Sequence, residues 1–179
     1  MIALPNQGCS ANVLPLIRTL FDIVLLRKGP EDIPRSWVLF VLIVALWIFS
    51  SLAALALIEQ FDETDFFLGL FSGIIGIACY AALVVVSGWP ARVLQTIAAI
   101  LGCGALISLA FVAEYVLFMP FLGEGPTGLI ANLILLWSVP VEGHIIARAM
   151  GRHWYIGILI AITVFVLQYV IYSAVSATP

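Results

Sequence analysis

Five apolar runs constrain this chain more than any other feature. They cover residues 37–58, 66–87, 93–118, 127–147 and 154–177, and each has about 20 or more largely apolar residues. A helix of that length crosses the roughly 30 Å hydrocarbon core of a bilayer. In lipid an open strand would leave its backbone groups unpaired, so these runs are read as helices. The expected fold is an all-α membrane protein with five transmembrane helices in one domain, 37–179, behind an N-terminal segment, 1–36. Composition agrees. The 179 residues are 64% hydrophobic and 9% charged, against about 25% charged in soluble domains, which leaves too little polar surface to cover a water-exposed globule.

The N-terminal segment reads differently. Residues 1–11 look like a disordered lead-in. Residues 12–28 form a helical pattern, with Asn12 as N-cap, Pro15 in the first turn and Gly29-Pro30 as the stop. Arg18 and Asp22 stand i,i+4 on one face. The stretch is too short and too interrupted to span, so it is expected to be an amphipathic helix lying in the interface. The alternative is a helix packed beneath the bundle. Pro30 and Pro34 stiffen the turn that follows.

Charge sets the orientation. All seven Lys and Arg (18, 27, 28, 35, 92, 148 and 152) fall in the N-terminal segment, the second loop or the fourth loop. With five spans these three regions share one side, which the positive-inside rule assigns to the cytoplasm. The N-terminus is then inside and Pro179 outside. Arg27, Lys28, Arg35, Arg148 and Arg152 form a basic face suited to anionic lipid or to a partner.

Polar residues inside the runs are the candidates for chemistry, because an ionisable group at that depth is costly and faces protein or water. The stretch Trp137-Ser-Val-Pro-Val-Glu-Gly-His-Ile-Ile-Ala-Arg148 carries a carboxylate, an imidazole and a guanidinium within seven residues. Glu142 and His144 are about 200° apart around a helix, so they do not share a face; His144 aligns with Pro140 and Arg148. Glu142, His144, Arg148 and, on the third span, Glu114 are the candidate polar site. Glu114 is expected roughly 15 Å from Glu142, with Tyr115, Tyr169 or Tyr172 as its donor. Gln168 reads as a tie between helices. Gly143 permits a close helix approach. Gly69, Gly73 and Gly76 form a small-residue stripe that matches Ala98, Gly102 and Ala105, so the second and third spans are expected to pack there; a homodimer seam is the alternative.

Several classes are excluded. The net charge of −3, with no basic run, argues against nucleic acid. Three Cys, at 9, 79 and 103, offer no CxxC, and no metal-ligand spacing, catalytic motif or cofactor fingerprint occurs. The chain is therefore expected to be non-enzymatic and without cofactor or metal.

Two stretches, Leu25-Leu-Arg-Lys-Gly-Pro-Glu-Asp-Ile-Pro34 and Gly143-His-Ile-Ile-Ala-Arg148, look like stretches of small uncharacterised proteobacterial inner-membrane proteins. Five closely spaced helices after a cytoplasmic segment resemble the Yip1-type membrane domain. The resemblance implies a five-helix fold and a bacterial inner-membrane location, with no activity attached. The long acidic or Pro-rich N-terminal region of eukaryotic Yip1 proteins is missing, so no trafficking role is implied. The first expectation for function is an accessory, assembly or lipid-organising factor in the bilayer, within a larger membrane complex or a homo-oligomer. The alternative is a small transporter or channel with its polar site around Glu142 and His144.

Overall fold

A computed structural model describes residues 13–58 and 63–176. The lead-in with Cys9 and Asn12, part of the acidic loop and residue Pro179 lie outside the described residues. Seven α-helices follow one another: α1 (Val13–Val24), α2 (Trp37–Leu57), α3 (Glu63–Val86), α4 (Val93–Leu122), α5 (Glu124–Leu136), α6 (Ser138–Met150) and α7 (Trp154–Ser176). Among the described residues there is no strand. Among the described residues five helical units are long and apolar enough to cross a membrane: α2, α3, α4, the α5–α6 pair and α7. The chain is a multi-pass membrane protein by this measure.

The five spans form where the apolar runs are. The fourth differs from the expected single rod. It extends from Glu124 to Met150 and breaks at Trp137, between α5 and α6. Pro140 explains the break. It has no N–H for the carbonyl of Leu136, and its ring crowds that carbonyl, so the ladder fails one turn earlier. The third span also runs further than expected, through Pro120 to Leu122, and ends at Gly123, whose φ of 73° turns the chain into α5.

The core is built around α4. Ala98, Ala99, Ile100, Leu101, Gly102 and Cys103 are all buried. Six consecutive residues point in every direction around a helix, so this half of α4 is enclosed. The neighbours of α4 are α1, α2, α3, α5 and α6. Small side chains at Ala98, Ala99 and Gly102 permit that enclosure. By contrast α2 buries only Ile43 and Ser50, and its apolar surface, including Phe49 and Leu52, is exposed as expected for a lipid-facing helix.

The glycines pack differently from the expected α3–α4 seam. A methyl group at Gly73 would meet Trp47 of α2 at 3.5 Å, and one at Gly76 would meet Gln168 of α7, whose Cδ is 3.1 Å away. Gly69 has open space in front of it. The stripe therefore faces α2 and α7. Gly102 accommodates α1 instead: a methyl there would lie 2.7 Å from Leu20 Cδ2. The closest helix pair is α6 with α7. A methyl on Gly143 would come within 2.8 Å of Ile158 Cα, and one on Gly157 would strike the carbonyl oxygen of Gly143.

The N-terminal helix is present but shorter than the 12–28 pattern, and it is docked. Leu16, Leu20 and Ile23 are buried against the bundle, Ile23 completely. Their spacing puts them on one helix face. Leu26 follows with φ of 60°. Its N–H binds the carbonyl of Ile23 at 2.8 Å, and Arg27 N–H binds that of Asp22 at 2.8 Å. This is a left-handed C-terminal cap in which leucine stands where glycine is usual. The chain then climbs along α6. Val24 meets Trp137, Lys28 meets His144 and Glu31 meets Arg148. Those three positions lie about 20, 9 and 3 Å from the end of α6. The helix is thus inserted among α4, α5 and α6, nearer to the alternative of a packed helix than to one lying flat.

Candidate functional site

Glu142 sits on α6 just after Pro140, about 12 Å from the end of that helix. Its Oε2 accepts a hydrogen bond from Tyr80 Oη of α3 at 2.6 Å. Tyr80 is 2% exposed, so this bond is made in the bundle interior. The carboxylate also lines a cavity of about 110 Å³ shared by Trp47 of α2, Ile100 and Gly104 of α4, and Gln168 of α7. The α6–α7 contact, through Gly143 and Gly157, holds it there by fixing the distance between the two helices. Burying a polar group without a partner is costly. Among the described residues, Tyr80 is the hydrogen-bond donor to Glu142.

His144 and Arg148 do not reach this cavity. His144 Nε2 lies 3.0 Å from the backbone carbonyl of Lys28. Arg148 Nε donates to Glu31 Oε1 at 2.7 Å, and its Nη2 pairs with the same oxygen. Together they fasten the N-terminal turn to α6. Further bonds fasten the same segment to the α5–α6 junction and to α4. Trp137 Nε1 donates to Val24 O at 3.1 Å, Gln95 Nε2 to Ile33 O at 2.6 Å, and Arg35 Nε to Gln95 Oε1 at 3.0 Å. The carbonyls at a helix C-terminus and in an irregular segment have no intrahelical donor, so each needs one from elsewhere. Inside the turn, Asp32 Oδ2 accepts from Gly29 N–H at 3.0 Å. Lys28 pairs with Asp22 at 2.9 Å, and its ammonium holds the Asp22 carboxyl below its usual value. Arg92 stacks over Trp89 at 4.1 Å and donates to the carbonyl of Ala149 at 3.3 Å, capping α6. The expected site of Glu142, His144 and Arg148 therefore divides into a carboxylate facing a cavity and a cationic clamp.

Glu114 is a separate feature. It is buried on α4, about 20 Å along the bundle from Glu142. Neither of its oxygens has a hydrogen-bond partner among the described residues, and the same holds for Thr127 Oγ1. None of the three expected tyrosines donates to it. Cys79 and Cys103 are free thiols; Cys103 Sγ faces Leu20 O at 3.8 Å. No cluster able to hold a metal ion occurs among the described residues.

Gln168 ties α7 to α3 as expected, through a 3.0 Å bond from Nε2 to Ser72 O. It also borders the Glu142 cavity, together with Tyr80 and Trp47, and sequence reasoning assigned none of the three to the site. A polar or amphipathic side chain inside an apolar run was the available signal.

No family model, curated protein or solved structure matches the chain.

Proposed function

We propose that this protein is a small membrane transporter whose working group is the Glu142 carboxylate. The observation that carries the proposal is the cavity at mid-bundle, bordered by a carboxylate with one protein donor among the described residues. A bare carboxylate in a low-dielectric interior is neutralised by a proton or by a bound cation. Exchange between the two is the elementary step of cation transport. In reconstituted vesicles, an imposed membrane potential is expected to drive cation or proton uptake. Glu142→Gln abolishes it without altering yield or gel-filtration profile. Flux of wild-type size through Glu142→Gln would overturn the proposal.

The accessory or lipid-organising reading has less to support it. Lys28, Arg35 and Arg148 are engaged within the chain, which leaves exposed Arg27 and Arg152 as the basic face.

The proposed setting is a bacterial inner membrane with the basic end in the cytoplasm. The charge asymmetry supports this, as do exposed Trp37, Trp89, Trp154 and Tyr155 at that same end, where an interfacial aromatic belt belongs. In that setting the amphipathic N-terminal helix enters from the interface as a re-entrant element. The two stretches that resemble small proteobacterial inner-membrane proteins touch, through Glu31 with Arg148 and Lys28 with His144.

A further inference from the structure

A second cavity, of about 280 Å³, lies between α3 and α7 and shares Gly73 and Gln168 with the Glu142 cavity. Phe165, Tyr169 and Tyr172 line it. Phe165 is 47% and Tyr169 66% exposed, so this chamber opens on the perimeter of the bundle. Gln168 stands between the two chambers. It is held by Ser72 O and rests against Gly76. Beyond it are Trp47, Tyr80 and Glu142.

From this arrangement we propose that the transported cation is a small organic ammonium, that it approaches laterally between α3 and α7, and that Gln168 partitions the path. The inference rests on the transport reading above. Aromatic faces attract a cation through the ring quadrupole, most strongly when the cation is desolvated. A small hydrated metal ion prefers several oxygen ligands, and the inner chamber offers one carboxylate. An alkylammonium needs less: its charge meets Glu142 and the ring of Trp47, and its apolar part meets Ile77 and Ile100. It also partitions into the bilayer interface from which the outer chamber is reached. The inner volume of about 110 Å³ restricts the guest to a few heavy atoms. The amide of Gln168 gives way when its Nε2 releases Ser72 O and donates to water, while its Oε1 accepts from the passing ammonium.

The test uses the full chain in detergent with ethylammonium chloride as probe. Sodium and potassium chloride at equal ionic strength are the comparison, and binding is read by calorimetry. Saturable heat with ethylammonium and none with the alkali ions is expected. Glu142→Gln weakens binding at least tenfold, and Trp47→Leu by about two- to thirtyfold. Tetraphenylphosphonium, too large for the inner chamber, fails to displace ethylammonium. For the path, Cys9, Cys79 and Cys103 are changed to Ala and Ser72→Cys is added. Maleimide labelling at that position then slows ethylammonium uptake into vesicles relative to the same variant without label. Gln168→Leu is a second probe of the partition and changes uptake rate more than equilibrium affinity. Equal binding of sodium, or labelling without effect, overturns the inference. Glu142-dependent proton or sodium flux with no ethylammonium binding overturns this inference alone and leaves the transport reading standing. Loss of the Glu142 dependence removes both.

Discussion

Gly143 separates two residues with unlike tasks, and its missing side chain serves a third. With Gly157 it lets α6 and α7 touch at the backbone. Gly143→Ala or Gly157→Ala forces those backbones apart and is expected to cost about 1–3 kcal/mol, as overpacking does. A lower thermal midpoint in detergent checks this. Gly125→Ala, which meets open space, serves as the control and leaves the midpoint in place. At this scale the sequence was informative about polarity and silent about partners. Glu142 stood out because a carboxylate in an apolar run has to be accounted for. Its donor, Tyr80, lies 62 residues away, and a lone tyrosine in an apolar helix looks like one more ring. His144 was legible as a polar group, but its partner is a backbone carbonyl. Every residue has one, so nothing in the sequence marks which carbonyl it is.

The element that departs most from expectation is α1. It is expected at a membrane surface, yet Leu20 fits the Gly102 notch on α4, and donors from α4, α5–α6 and the turn meet its trailing carbonyls. Helical periodicity reveals which face is apolar but not what that face covers, since lipid and a neighbouring helix are equally apolar. The same ambiguity explains the glycine stripe on α3: its small face was legible, and its neighbours were not. Trp137→Phe removes the donor to Val24 O and is expected to cost about 1 kcal/mol locally, so amides of α1 exchange about fivefold faster. Gly102→Leu drives a larger side chain into Leu20 and undocks α1 altogether. Hydrogen exchange followed by mass spectrometry reads both. An unchanged α1 in Gly102→Leu would show that the notch does not hold it.

At the scale of the molecule, the reading of five crossings predicts that the two ends of the bundle lie on opposite faces of the membrane. Single cysteines at Glu124 and Arg152, in a background without native cysteine, are expected to react with a membrane-impermeant maleimide from opposite sides. Five apolar runs of spanning length make that much legible in the sequence. The enclosure of α4 is not legible there, because it depends on which helices are neighbours. α4 has 30 residues, about 45 Å, and exceeds a roughly 30 Å hydrocarbon core, so it tilts or emerges from it. The clamp on the N-terminal turn has a further consequence, for the order of assembly during synthesis. Trp137, His144 and Arg148 follow their partners by 113, 116 and 117 residues. At about 5–20 residues per second, the ribosome delivers them about 6–23 s after the turn has emerged. Until then the carbonyls of the first segment depend on water or on other donors, and docking of that segment becomes a late step of biogenesis. A nascent chain arrested before residue 137 would hold its N-terminal helix at the membrane surface.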